Sequence, residues 1–294
     1  MTLVKDKLFK VGVSTCGKKI CEELFRAYNN AGITDMEIEN GNQTYNNMDY
    51  KLLYTWAKQY GVQLWSYHLP FEPREKICTS KRECSAATLE LFSDIIKKAS
   101  DIGIDKFVIH PSSEPIEEHE RGEQIECAKE NLAKLAEVAN QCGAVLAVEN
   151  MARTCLGRTS DELLDIVSVH SALRVCFDTN HLFGENMHTF IRKVGDKIIT
   201  IHVSDRDSIN ERHWLPGEGE LDWQVIYQSL KEVGYSGPWL YEIGLTPPAT
   251  IERRNLELCD FVNNANAIFI GSVPAPIGKK KANLGMWGVI EDET

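Results

Sequence analysis

The sequence predicts a (β/α)8 barrel, the TIM barrel architecture, as a single domain followed by a C-terminal extension. Three observations predict it. Short apolar runs alternate with longer amphipathic segments, which gives eight strand–helix units. The strands are apolar on both faces, as in a parallel sheet covered on both sides. Eight such units within about 260 residues fit a closed barrel better than an open doubly wound sheet. Periodicity alone leaves the open sheet as the alternative.

Phe9–Thr15 (FKVGVST) is the first strand, and Lys19–Ala31 the first helix, with Gly32 as its C′ glycine. Strand two is Asp35–Ile38, with Glu39 at its end, and helix two is Tyr50–Tyr60, stopped at Gly61. Strand three, Val62–Tyr67, ends in His68, and helix three runs from Glu83 to Ile102 before Gly103. Strand four, Lys106–Ile109, ends in His110, and a long helix spans Glu120–Cys142. Strand five, Val145–Val148, ends in Glu149. Ser160 is expected to cap helix five, whose apolar stripe is Leu163, Leu164 and Val167. Strand six is the run RVCFD from Arg174, followed by helix six at Met187–Val194. Strand seven is Ile198–Ile201 and helix seven Trp223–Val233, ended by Gly234. Trp239–Tyr241 is strand eight and Arg253–Ala265 helix eight. The barrel is therefore assigned to residues 1–270. Residues 271–294 form an extension: GSVPAPIGKKKANLG reads as an arm, and MWGVIEDET is apolar enough to pack on the barrel or on a second subunit.

Composition narrows the function classes. The chain has 294 residues, 43% of them hydrophobic and 26% charged, which is an ordinary globular balance. No run of about 18 apolar residues is present, so no membrane span is expected. The N-terminus lacks a signal peptide's apolar core. Nine scattered Cys without CxxC spacing argue for reduced thiols and a cytoplasmic location. A net charge of −11 opposes nucleic-acid binding. Lys279–Lys281 is too short a run to form a nucleic-acid patch.

In a (β/α)8 barrel the site forms at the C-terminal ends of the strands. Those ends here carry His68, His110, Glu149, Asp178 with His181 three residues on, His202 and Glu242. The loop after strand seven adds Asp205, Arg206, Asp207, Glu211 and His213. Any one of these histidines read alone is most simply a solvated or hydrogen-bonded side chain. Together, acids and imidazoles converging in one mouth need a cation among them. Glu, Asp and His suit Zn²⁺, Mn²⁺, Co²⁺ or Fe²⁺, and imidazole argues against Mg²⁺. One divalent ion is therefore expected. Arg153, four residues after Glu149, either holds a substrate anion or is a loop arginine. Trp65, Trp214 and Trp223 are candidates for the wall of the mouth, with core packing the plainer reading for Trp65. Gly217–Trp223 is not a phosphate loop. It turns the chain into helix seven, with Asp222 as a cap.

Over residues 9 to 266 the chain resembles the xylose isomerase-like TIM barrels, the superfamily of sugar isomerases, epimerases and endonuclease IV. The resemblance rests on LAVENM around Glu149, CFDTNH around Asp178, IHVSD around His202, HWLPGEGELDW, and LYEIG around Glu242. It implies that Glu149, Asp178, His202 and Glu242 hold the metal, as in ketose 3-epimerases, and that His181 contacts the sugar. Two positions depart from that pattern. Cys155 stands where those epimerases carry a second Glu, and Ser208 where they carry an Arg, with Arg206 nearby. Endonuclease IV implies a fuller zinc set, matching His68, His110, Glu149, Asp178, His181, His202, Glu211, His213 and Glu242, with Glu211 in place of an Asp.

The expected activity is a metal-dependent isomerisation or epimerisation of a sugar or sugar-like ketone. It would proceed by proton abstraction next to a carbonyl through an enediolate. Glu149 and Glu242 are the expected base and acid, from strands on opposite sides of the barrel. Asp178 and His202 would mainly hold the metal. His68, His110, His181, Arg206, His213 and Arg153 are the expected substrate contacts. The same residues would serve a dehydratase or lyase, and the endonuclease reading is the alternative. A barrel that has lost catalysis is disfavoured by the intact ligand set. The expected partner is a small sugar-like molecule, with neither nucleic acid nor membrane, and a homo-oligomer is compatible with the chain.

Overall fold

The computed structural model describes residues 9–39, 45–71, 77–78 and 82–290. The first eight residues, part of the stretch read as lacking a signal peptide, lie outside the described residues, as do the last four of the apolar tail. The first half of the barrel comprises β1 (Val11–Ser14), α1 (Glu22–Ala31), β2 (Asp35–Glu39), α2 (Tyr50–Tyr60), β3 (Gln63–His68), α3 (Arg82–Ser100), β4 (Lys106–Ile109) and α4 (Arg121–Gln141). The second half is β5 (Val145–Glu149), α5 (Ser160–Val167), β6 (Leu173–Asp178), α6 (Met187–Val194), β7 (Ile198–His202), α7 (Trp223–Glu232), β8 (Trp239–Tyr241), β9 (Ile251–Glu252), α8 (Leu258–Phe269) and β10 (Lys279–Lys280).

One eight-stranded sheet runs in the order β7-β6-β5-β4-β3-β2-β1-β8. Its two ends meet just past β7. Val203 bridges Tyr241 in parallel sense, its amide donating to the Leu240 carbonyl at 2.8 Å, while the Glu242 amide donates to the Val203 carbonyl at 3.3 Å. The open-sheet alternative is thereby excluded: the sheet closes, and the eight main helices surround it.

Most apolar burial lies between strands and helices. Phe177 of β6 stacks on Phe190 of α6 with ring centroids 5.3 Å apart, in a shell that includes Leu146, Val148, Val175, Leu163 and Ile191. Burying each such side chain contributes about 1.5–3 kcal/mol. The lumen is different. Its lower part holds the small cluster Val108, Ala147 and Cys176, and Trp65 donates across the barrel to the Thr200 hydroxyl at 3.1 Å. Higher up, Glu37, Ser66, His68, Glu149, Asp178 and His202 are all buried. Two register shifts flank this layer, between Met36 and Glu37 on β2 and between Val175 and Cys176 on β6. Such shifts re-aim side chains beside functional sites.

Helix boundaries follow from local chemistry. The α1 and α2 C-termini close on Gly32 and Gly61 in the left-handed region, as expected. Asp222 caps α7 by accepting from the Gln224 and Val225 amides. Two boundaries need correction. The cap of α5 is Thr159, whose side chain accepts from the Glu162 amide, and Ser160 is already helical. Helix α8 starts at Leu258 rather than Arg253, because Ile251–Glu252 pairs antiparallel with Lys279–Lys280. Glu257 and Asp260 then form a capping box.

The C-terminal extension docks on the barrel. Glu218 accepts from the Gly278 amide at 2.8 Å, and the Arg212 guanidinium donates to the carbonyls of Gly285 and Met286 at 2.8 and 3.3 Å. Asp205 explains the HWLPGEGELDW segment. Its carboxylate accepts from the amides of Arg206 (2.9 Å), Gly217 (2.8 Å) and Leu221 (3.2 Å) and from the Trp223 indole (2.9 Å). A Cβ at Gly219 would collide with that carboxylate and with the Arg206 carbonyl, so only glycine fits. Trp214 and Trp223 accordingly sit in the core beneath this loop, not in the wall of the mouth. Both are buried, and the Trp214 indole donates to the Thr250 hydroxyl at 3.0 Å.

Candidate metal centre

The strand ends converge as the closed barrel requires. Glu149, Asp178, His202 and Glu242 each offer a ligand atom, and these atoms lie within 4.8 Å of one another. Nδ1 of His202 is 3.3 Å from Glu149 Oε1, 3.4 Å from Glu242 Oε2 and 3.7 Å from Asp178 Oδ2. Each ligand has a local reason for its position. Asn150, directly after Glu149, forms a reciprocal pair with the Asp178 backbone, accepting from its amide at 2.7 Å and donating to its carbonyl at 2.9 Å. Oδ1 of Asp178 accepts from the amides of Asn180 and His181. Its other oxygen, Oδ2, is buried with no hydrogen-bond partner. A buried, unpartnered carboxylate oxygen aimed into a cluster of donors is the feature a cation would complete. The residues present therefore fit a divalent ion of the Zn²⁺, Mn²⁺, Co²⁺ or Fe²⁺ class.

Glu149 is the hub of a wider set. Its Oε2 faces Nε2 of His68 and of His110, at 3.3 and 3.2 Å, and its Oε1 faces Nδ1 of His181 at 3.1 Å. Two further donor groups flank the four-ligand cluster: His68, His110 and Glu149, and His181, Glu211 and His213. Burial works to raise the Glu149 carboxyl, but His202 and His110 beside it hold it well below the usual range. Burial raises Glu242 well above the usual range, with Glu149 and Asp178 adding to the effect against His202. Burial alone would lower His68, but Glu149, Glu37 and Glu242 push it up to about 9. His181 and His202 also lie well above the ordinary imidazole value, held up by the acids around them against burial.

These directions give a pH prediction. Imidazoles held above neutrality carry protons that an incoming ion must displace. Zn²⁺ affinity should therefore rise with pH through the neutral range, as His202 and the imidazoles beside it give up their protons. Calorimetry in buffers of different ionisation enthalpy should record proton release on binding. An affinity constant from about pH 6 to 8, with no proton release, contradicts this picture.

A cavity of about 270 Å³ opens above the cluster. Its lining includes Phe71, His110, Ser112, Glu114, Arg153, Cys155, His181, Glu211, His213 and Glu242. Arg153 and His213 take left-handed backbone angles, φ 51° and 49°, and such strain concentrates at functional sites. Arg153 reaches the cavity, but its guanidinium is engaged by Glu114 (2.9 Å), Asn210 and Glu211 (2.8 Å). Arg206 lies over the Phe183 ring and donates to the Asp207 and Leu182 carbonyls, and it is not part of the cavity lining. Cys155 sits in the lining as a buried thiol pushed up to about 11 by burial. Ser208 is exposed and donates its amide to Glu220. His119, His170 and His188 lie away from the cluster; His119 faces Glu120, His170 pairs with Glu137, and His188 with Ser229.

Sequence reasoning missed Glu37. It is fully buried on β2, 3.0 Å from Nε2 of His202. A signal was present in DMEIE, where three acids recur at the two-residue period of one strand face in an otherwise buried strand.

A family model described as xylose isomerase-like TIM barrel matches residues 25–260. The chain belongs to the xylose isomerase-like TIM barrel family. Among curated members it is 27% identical over 198 residues to D-psicose 3-epimerase of Enterocloster bolteae, a match covering 64% of each chain. It is likewise 27% identical over 171 residues to a probable endonuclease 4 of Finegoldia magna, covering 52% of this chain and 60% of that one. These matches thus span less than two-thirds of either relative's length. Among solved structures, a D-tagatose 3-epimerase-like protein superposes with a TM-score of 0.75 at 24% identity, covering 88% of this chain and 95% of that one. A 3-keto-D-glucoside 4-epimerase from E. coli gives 0.72 at 18% identity, covering 89% and 99%. At such identities these structures share the xylose isomerase-like fold. Among the described residues, no helix is long and apolar enough to cross a membrane.

Proposed function

We propose that the chain is a divalent-metal-dependent epimerase or isomerase of an uncharged sugar or sugar-like ketone. The observation that carries this reading is the four-ligand cluster, with the orphaned Asp178 Oδ2, beneath a cavity of about 270 Å³. Glu149, Asp178, His202 and Glu242 would hold the ion. When bound, it would supply Lewis-acid stabilisation of the charge that develops as a proton leaves carbon next to a carbonyl. Glu149 and Glu242 reach the cluster from β5 and from the end of β8, so one can take the proton and the other return it to the opposite face. His110, His181 and His213, all in the cavity lining, would hydrogen-bond substrate hydroxyls. Among the described residues of that lining Arg153 is the one Lys or Arg, and it is already engaged by two carboxylates, which supports an uncharged substrate over a phosphorylated one. Similarity to 3-epimerases and a 4-epimerase supports the same class of substrate.

Turnover should exchange a carbon-bound proton with solvent, because the carboxylate that returns a proton is not the one that took it, and Glu242 lines the cavity where water reaches it. Candidate free ketoses incubated in D₂O with metal-loaded protein should give product labelled at the inverted carbon. Unlabelled product, with no label in recovered substrate, would overturn proton transfer through Glu149 and Glu242.

A second reading has its own observation. The two flanking donor groups, His68–His110–Glu149 and His181–Glu211–His213, are those a three-zinc abasic-site nuclease would use. The net charge of −11 weighs against it. Metal analysis separates the two readings. One ion per chain supports the epimerase, whereas three zinc ions with incision of abasic DNA support the nuclease.

A further inference from the structure

The imidazole of His202 faces acids on both sides. Its Nδ1 points at Glu149, Asp178 and Glu242, the carboxylates of the metal cluster. Nε2 points the other way, 3.0 Å from Oε1 and 3.2 Å from Oε2 of Glu37. Among the described residues, Glu37 belongs to none of the donor groups that could hold an ion. We propose that Glu37 is a positioning residue: it holds one proton of His202 on Nε2, so that Nδ1 is the nitrogen that offers its lone pair to the metal. This rests on the metal centre proposed above.

Three features support it. Glu37, Ser66 and His202 are fully buried, and an ionised carboxylate in such a place needs donors. Its donors are the Ser66 hydroxyl, at 2.7 Å, and Nε2 of His202. A neutral imidazole carries one proton, and the bond made by one nitrogen decides which nitrogen holds it. An ionised carboxylate only accepts, so Nε2 must donate. The backbone is shaped for this contact. Met36 pairs with Leu64 but Glu37 with Ser66, and the skipped residue, Trp65, lets the Ser66 hydroxyl lie beside the carboxylate. Finally, the His68 ring stacks on His202 with centroids 5.7 Å apart and planes at 20°, which restricts ring rotation. Bonds of this kind behind metal-bound histidines set ligand orientation and basicity.

The test measures Zn²⁺ affinity of the full chain by competition with a chromophoric chelator, in wild type, Glu37→Leu and Glu37→Gln. Glu37→Leu should bind about 10–100-fold more weakly. Glu37→Gln, which keeps an oxygen for the Nε2 proton, should recover part of that loss. Circular dichroism checks the fold of each. In parallel, ¹⁵N NMR of histidine in zinc-loaded wild type should show His202 protonated on Nε2. Metal on Nε2 instead would overturn the proposal whether or not the variants fold. So would a folded Glu37→Leu chain with wild-type affinity. Wild-type protein that binds no zinc would overturn the metal centre itself, a separable result.

Discussion

Glu149→Gln should abolish turnover and also destabilise the metal-free protein, whereas Glu242→Gln should abolish turnover alone. Loss of a positioned acid or base lowers the rate by about 10²–10⁴-fold, and the proposed mechanism gives both residues that role. Their surroundings differ. Glu149 is fully buried with an imidazole nitrogen within 3.3 Å of each oxygen on two sides: His68 and His110 at Oε2, His181 and His202 at Oε1. Its carboxyl lies well below the ordinary value because His202 and His110 outweigh its burial. A carboxyl lowered in the fold contributes stability above its unfolded value, and that stability is lost as pH falls through the folded one. At neutral pH the contribution is complete. An amide there removes a charge the histidines rely on and turns an N–H₂ toward one pair of them. Breaking a buried ion pair from one side costs about 3–5 kcal/mol. Glu242 is raised well above the usual carboxylate range by burial and by Glu149 and Asp178, against His202, so its carboxyl is shifted toward the neutral form in the metal-free protein. A glutamine nearly copies that state. Thermal melts in chelator, beside turnover of the ketose by metal-loaded protein in D₂O, read both effects. A Glu149→Gln chain that melts with wild type would remove Glu149 from the hub of the cluster.

Much of this site was legible because the barrel imposes a rule on position. Glu149, Asp178, His202 and Glu242 follow short apolar runs, and in a closed barrel those ends share one mouth. The strand–helix alternation was readable for the same reason: each unit buries one apolar strand and one helix stripe. What escaped the sequence was set by contacts between distant segments. Glu37 lies in mid-strand, and its meaning depends on a register shift between β2 and β3 that no local pattern encodes. The sequence leaves Arg153 as a substrate-anion contact or a loop arginine, but Glu114 and Glu211 come from two other loops to occupy it. The start of α8 was misplaced because Ile251–Glu252 is drawn into pairing with Lys279–Lys280, well outside the helical pattern. Trp214 and Trp223, candidates for the wall of the mouth, instead lie under a loop organised by a single carboxylate.

That carboxylate gives the largest expected stability effect outside the metal cluster. Asp205→Ala should destabilise the protein by about 3–5 kcal/mol, because four donors lose one shared acceptor at once. The side chain is fully buried. Its Oδ1 accepts from the Arg206 and Leu221 amides, and its Oδ2 from the Gly217 amide and the Trp223 indole. Each orphaned donor costs roughly 1–3 kcal/mol when buried, less where water reaches it. The backbone pairing of Asp205 with Trp214, at 2.7 and 3.0 Å, survives the substitution, so the loss is confined to the turn beyond it. Asp205→Asn keeps one accepting oxygen and should lose less. The four-ligand cluster sits on the strands, so single-ion Zn²⁺ affinity should hold in both variants. His213 and Glu211, on the same loop, should be displaced, so any binding of further zinc ions should weaken. Calorimetric melting and zinc titration on the two variants test this together. An Asp205→Ala chain that melts with wild type would mean that the loop is held by its backbone pairing and the docked C-terminal extension, and that the carboxylate is dispensable.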